Sequence, residues 1–230
     1  MNDEKTERLN KYIAYHLGIS RREADSYISK GAVSINGDTG QLGARVGEKD
    51  LVAVNGATII KKSSYTYIAL HKPIGYVCSR KPQGDNPTAY DLLPPEFHDL
   101  KLVGRLDKDS SGIILLTDDG TFSHHMTHPS YHKTKTYLIS LDRELEPLHQ
   151  QMISDYGIQL DDGPSKLRLT RQGESNRKEW IIEMHEGRNR QIRRTFAALG
   201  YTVVSLHRTQ FGDYSLGDIK PGSWKELHIS

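Results

Sequence analysis

Cysteine is almost absent from this chain, and so is any large surplus of charge. Cys78 is the single cysteine in 230 residues, so an intrachain disulfide is excluded and an oxidising compartment is not implied. Basic residues outnumber acidic ones by only two, 31 against 29. Bulk electrostatics therefore announces no nucleic-acid partner, and any RNA contact must come from local clustering of lysine and arginine. No apolar run approaches the roughly 18–20 residues that span a bilayer, and residues 1–10 are mostly charged or polar rather than a signal-peptide core. Internal repeats and low-complexity segments are missing too. Residues 43–49 hold glycines and a lysine but neither the spacing nor the Ser/Thr of a phosphate-binding loop. These absences leave a soluble, cytoplasmic, monomeric protein with no membrane partner as the expectation. At 36% hydrophobic content, the chain can bury one substantial core and a small satellite.

The satellite comes first. Leu9, Ile13 and Leu17 recur at helical spacing, with Gly18 as the stop. Ser20-Arg21-Arg22-Glu23 has the form of a capping box, and Ala24, Tyr27 and Ile28 form the buried face of a second helix ending at Gly31. Two short β-like runs lead into Asn36-Gly37 and Asn55-Gly56, dipeptides of tight turns. Lys61-Lys62-Ser63-Ser64 is short and polar and marks a linker between domains 1–62 and 63–230. Beyond it, strands are predicted at 67–70, 102–103, 113–116, 137–141, 180–184 and 203–206, with helices at 122–126, 147–154 and 191–199. The connections are too short and irregular for regular βαβ crossovers. The fold class is therefore α+β, with a mostly antiparallel sheet in the second domain.

Chemistry concentrates in Gly104-Arg105-Leu106-Asp107-Lys108-Asp109-Ser110-Ser111-Gly112, a charged, glycine-bracketed loop between the apolar runs Leu102-Val103 and Ile113-Ile114-Leu115-Leu116. Strands that fix both loop ends present a carboxylate at the mouth of a sheet. Arg105 and Lys108 flank Asp107, and neighbouring cations favour the charged, nucleophilic form of a carboxylate. A structural turn aspartate is the competing reading, since Asp is a common turn residue. Arg21 and Arg22 stand in the first turn of the second helix, either as a solvated helix start or as a phosphate site. Lys72-Pro73-Ile74-Gly75 reads in isolation as a Pro/Gly turn with a solvated lysine, and Tyr137 as a core tyrosine on its strand. Arg188, Arg190, Arg193 and Arg194 put four arginines in seven residues, with Glu186 the one nearby acid, which favours phosphate contact. His124, His125, His128 and His132 share partial helical spacing, but Pro129 interrupts it and no cysteine or clear carboxylate joins them, so no metal site is expected.

The loop string resembles G-R-L-D-x-D-[ST]-x-G-L-L-L-L-T-x-D-G, the signature of bacterial ribosomal-RNA pseudouridine synthases, the family of RsuA and RluB. Ser110 stands where threonine is common and keeps the hydroxyl. Lys133-Thr134-Lys135-Thr136-Tyr137 matches the family's K-x-Y element, Lys72-Pro73-Ile74-Gly75 its K-P-x-G element, and residues 186–194 its E-G-x-N-R-Q-[IV]-R-R motif. Residues 5–60 resemble the RNA-binding domain named after small-subunit ribosomal protein S-four. The resemblance implies isomerisation of uridine to pseudouridine in ribosomal RNA or a pre-ribosomal particle, without a cofactor. It implies that Asp107 acts at the ribose, Tyr137 stacks on the flipped uracil and Arg193 pairs with Asp107. Arg21, Arg22, Lys72, Arg105, Arg188, Arg190 and Arg194 would then bind RNA. The strings at 160–163 and 187–194 resemble large-subunit enzymes more than small-subunit ones. A non-catalytic RNA-binding assembly factor would not require Asp107, Tyr137 and Arg193 to converge. A glycosidic-bond hydrolase would need a second carboxylate about 5–10 Å away, and none is clearly placed.

Overall fold

Contacts divide the computed structural model into two units, residues 1–65 with 118–120, and residues 66–117 with 121–230. The structure describes residues 6–60, 64–173 and 176–229. All of the linker read at 61–64 except Ser64 lies outside the described residues.

In the first unit the helices Leu9–His16 and Arg21–Ser29 bury Leu9, Tyr12, Ile13, Ala24 and Ile28 against Val33, Val52 and Val54. Ser20 Oγ accepts a hydrogen bond from Glu23 N at 3.1 Å, which starts the second helix. Leu17, read on the buried stripe, is 43% exposed. Its helix stops at His16, and Gly18 turns the chain at φ +71°. Asn36-Gly37 and Asn55-Gly56 both take positive φ at each residue and connect short antiparallel strand pairs.

The second unit is organised by a nine-stranded sheet. In chain order its strands are β1 (Tyr67–Lys72), β2 (Lys101–Val103), β3 (Ser111–Thr117), β4 (Lys135–Leu141), β5 (Arg168–Arg171), β6 (Glu179–Met184), β7 (Val203–Phe211), β8 (Tyr214–Ser215) and β9 (Trp224–Glu226). Spatial order is β5-β6-β4-β7-β3-β1-β9, with β2 also on β3 and β8 on β7. Every pairing is antiparallel except β7 with β3, where His207 faces Ser111 and Arg208 faces Gly112. The α+β reading holds. Strand β3 is apolar from Ile113 to Leu116 because both of its faces are covered: Ile114 and Leu116 join one core, Ile113 and Leu115 another. Strand β7 outruns its predicted end by five residues. His207-Arg208-Thr209-Gln210 carries no apolar run, but hydrogen-bonded neighbours on both sides hold it extended. The Asp107 loop joins β2 to β3. It meets β4, β7 and the start of helix Gln191–Ala197 around one cavity.

Candidate active site

The Asp107 loop is pinned from below by the Lys72 segment. Gly75 N donates to the Lys108 carbonyl at 2.8 Å, and Ser110 N donates to the Asp107 carbonyl at 3.1 Å. Lys72 is itself 0% exposed, its amine donating to the carbonyls of Pro73 and Tyr76, both at 2.9 Å. Burial pulls its pKa below the ordinary lysine value, with Cys78 and Asp107 opposing. This corrects the reading of Lys72 as an RNA contact, because a side chain with no exposed surface cannot reach a phosphate. Its place is under the loop.

Asp107 and Tyr137 line one cavity of about 460 Å³, together with Arg105, Arg190 and Arg193. The Asp107 side chain is 37% exposed, and Arg190 Nη1 lies 3.7 Å from its Oδ2. Arg190 also grips Asp109 with both terminal nitrogens, each donating at 3.0 Å to a different carboxylate oxygen. That fork, with Arg193 adding charge, holds the Asp109 carboxyl below the usual carboxylate range. Arg190 sits at the helix N-cap with φ +46°, a left-handed conformation costing about 1–2 kcal/mol for a residue with a Cβ. The paired carboxylates oppose that cost and aim the side chain at the loop.

Arg193 does not pair with Asp107, as the resemblance implied. Its Nη2 donates to the Asp109 carbonyl at 2.8 Å and Nη1 to the Val203 carbonyl at 2.6 Å. Nε approaches Asp109 Oδ2 at 3.3 Å without the alignment of a hydrogen bond. One turn into the helix, Arg193 braces the loop against β7, while Arg190 at the helix start reaches Asp107. The other two arginines are also engaged. Arg188 Nη1 and Arg194 Nη2 donate to opposite oxygens of Asp162, at 2.8 and 2.6 Å, and Arg188 also bonds the Gly163 and Pro164 carbonyls. Sequence proximity showed only Glu186 as a counter-charge. The fold supplies Asp109 and Asp162 from far along the chain, which corrects the reading of Arg188, Arg190 and Arg194 as an unbalanced phosphate patch. Arg105, Arg21 and Arg22 are exposed, with Arg21 donating to Asn10 Oδ1 at 3.2 Å.

Tyr137 is buried on β4. A register shift between Thr136 and Tyr137 bends the strand there, a device that re-aims a side chain. The RNA pseudouridylate synthase family matches residues 66–198, a span that holds the loop, Tyr137 and the arginine helix. The chain belongs to that family. The S4 domain family matches residues 7–52. The synthase is 36% identical to the ribosomal small subunit pseudouridine synthase A of Pasteurella multocida, covering 96% of this chain and 95% of that protein. It is 34% identical to the ribosomal large subunit pseudouridine synthase B of Bacillus subtilis, covering 96% and 92%. A crystal structure of pseudouridylate synthase superposes with a TM-score of 0.68 at 34% identity, covering 96% of both chains. The synthase is thus an isomerase with an S4 domain before its catalytic fold.

Sequence reading quoted Lys135 within the K-x-Y element but gave it no role, and it missed Arg208 and Phe211 at the cavity wall of this synthase. Lys135 is drawn below the ordinary lysine pKa, chiefly by burial and then by Arg208, and its amine lies 5.4 Å from the Phe211 ring centre. The available signal at Lys135 was a lysine at the start of a strand whose alternate residues are buried. At Arg208 it was hidden because the strand was read as ending two residues earlier.

Proposed function

We propose that this synthase isomerises a specific uridine to pseudouridine in ribosomal RNA, with Asp107 acting at the ribose. The observation that carries the reading is one cavity holding both the Asp107 carboxylate and the Tyr137 ring, in a wall rich in arginine. A uracil lifted out of its helix would stack on Tyr137, an interaction worth about 1–3 kcal/mol per base. Asp107, oriented by Arg190, attacks or deprotonates the sugar so that the C1′–N1 bond breaks with its electron pair on the uracil. The ring turns and C5 bonds to C1′ as the Asp107–C1′ bond breaks or, on the deprotonation route, as Asp107 returns its proton to the sugar; C5 then loses a proton and N1 gains one. Nothing is consumed. Arg193 holds the loop in place through Asp109. Arg105 at the cavity and Arg21 and Arg22 on the S4 domain contact the RNA backbone. A substrate of this kind places the enzyme in the cytoplasm.

Relatives named for the small and for the large ribosomal subunit both support ribosomal RNA as the substrate class. The strings at 160–163 and 187–194 favour the large-subunit RNA, while relatives at similar identity are named for each subunit. The experiment is therefore run on both RNAs. The purified enzyme is given small- and large-subunit transcripts made with [5-³H]uridine, and tritium release is followed by mapping of the modified position. Release from one transcript at a single site is expected. No release from either, with folded enzyme, overturns the reading.

A further inference from the structure

Among the cations lining the cavity, Arg208 alone is buried, at 2% exposure. Its position is set from both sides. In the β4–β7 ladder it stands directly opposite Tyr137, so the two side chains rise on the same face as close neighbours. In the β7–β3 ladder it stands opposite Gly112, at the end of the Asp107 loop. A Cβ on Gly112 would lie 2.2 Å from the Arg208 carbonyl oxygen, so the glycine is what lets the two strands close. Arg208 is therefore fixed between the carboxylate loop and the tyrosine.

The side chain is only partly engaged. Nε donates to the Ile113 carbonyl at 2.8 Å, and the guanidinium carbon lies 4.8 Å from the Phe211 ring centre. Nη2 is buried with no hydrogen-bond partner among the described residues. A buried donor left unpaired is costly, and a charged one more so. Such a group persists where a ligand completes it.

We propose that Arg208 recognises the target uracil, donating from its guanidinium to a carbonyl oxygen of the ring beside Tyr137 and holding the negative charge the ring carries while detached from ribose. Guanidinium has donors and no acceptor. Set at O4 it donates to uracil and would face the amino group of cytosine, donor against donor; set at O2 it donates to an oxygen both bases share. Once the C1′–N1 bond breaks with its pair on the ring, that charge spreads onto the carbonyl oxygens, and a fixed cationic donor stabilises it most in that state. The pair leaves the ring again when C5 bonds to C1′, so Arg208 keeps its proton throughout.

This inference rests on the cavity being the isomerase site, and the test separates the two. Wild type, Arg208→Lys and Arg208→Met are compared in single-turnover rate and RNA affinity, on transcripts carrying uridine, 2-thiouridine or 4-thiouridine. Sulfur accepts a hydrogen bond from Arg208 more weakly than oxygen. Arg208→Met should lose about 10²–10³-fold in rate with affinity within a few fold, and Arg208→Lys should recover part of it. At one of the two thio positions the losses from substitution and from sulfur should overlap instead of multiplying. Wild-type enzyme inactive on every transcript would sink the isomerase reading itself. Active wild type, with Arg208→Met equally active or with losses that multiply at both positions, would overturn the role of Arg208. Should Arg208→Met fail to fold, the same overlap is read with Arg208→Lys, which keeps the charge and shifts the donor.

Discussion

Two arginine groups in this molecule look alike as strings and differ in the fold. Arg21 and Arg22 are exposed at the start of a helix in the S4 domain. Arg188, Arg190, Arg193 and Arg194 meet Asp162, Asp107, Asp109 and backbone carbonyls. We propose that the first group grips an external phosphate; the second holds a loop and a carboxylate. Arginine density alone could not separate them, because a cation's partner is set by which acids fold back beside it.

The sharpest cut through that comparison is at the carboxylate the second group serves. Asp107→Asn keeps the shape and removes the carboxylate proposed to act at the ribose. Pseudouridine formation should vanish while RNA affinity stays within a few fold, as measured by tritium release and filter binding on the same preparation. Measurable turnover by this variant would end the assignment of Asp107.

Arg190→Met comes next. Loss of the fork on Asp109 and of the cation near Asp107 should misplace the loop and cost about 10²-fold in turnover at saturating RNA, with a smaller change in affinity. If affinity collapses while single-turnover rate at saturation is untouched, Arg190 is a phosphate contact after all and the contrast between the two groups fails.

The double substitution Arg21→Gln, Arg22→Gln should do the opposite. Rate at saturating RNA should hold, affinity should fall, and the salt dependence of log K should flatten by roughly 0.7–0.9 per arginine removed. Unchanged affinity and slope would make that exposed pair an idle surface.

A smaller effect appears in acid. Asp109 has its pKa depressed in the fold, first by the Arg190 hydrogen bonds. A depressed carboxyl contributes stability that is present above the unfolded value of about 3.9 and is lost as pH falls through the folded value. Wild-type Tm should therefore drop on acidification below about pH 4 more steeply than that of Asp109→Asn. Equal slopes would show that the fork adds nothing to stability. The contribution is modest, because the Asp109 side chain is 46% exposed and water screens the pair. Smallest of all is Arg194→Gln. Its pair with Asp162 is on the surface, and turnover and affinity should both stay unchanged within error. A large loss of affinity would return Arg194 to the RNA-binding set.

Much of the fold could be read in advance because it depends on local pattern. The Asn-Gly turns follow from backbone sterics within two residues, and the Ser20 cap from a side chain three residues from its partner. The run Ile113-Ile114-Leu115-Leu116 announced a strand, and the fold covers both of its faces. Strand β7 was cut short for the same reason in reverse. Residues 207–210 have no apolar alternation, and what extends them is pairing with β3, β4 and β8.

By itself the sequence determined the α+β class, the helix caps and turns, and the motif strings around Asp107, Tyr137 and the arginine helix. These are local properties, set by residues within a few positions of each other. Only the tertiary structure decided the partners: Asp109 rather than Asp107 for Arg193, Asp162 for Arg188 and Arg194, carbonyls for Lys72, and Tyr137 beside Arg208. A charge or a donor acts over a few ångströms of space, whatever the separation along the chain. Which groups come that close is settled by strand register and by where the loops close.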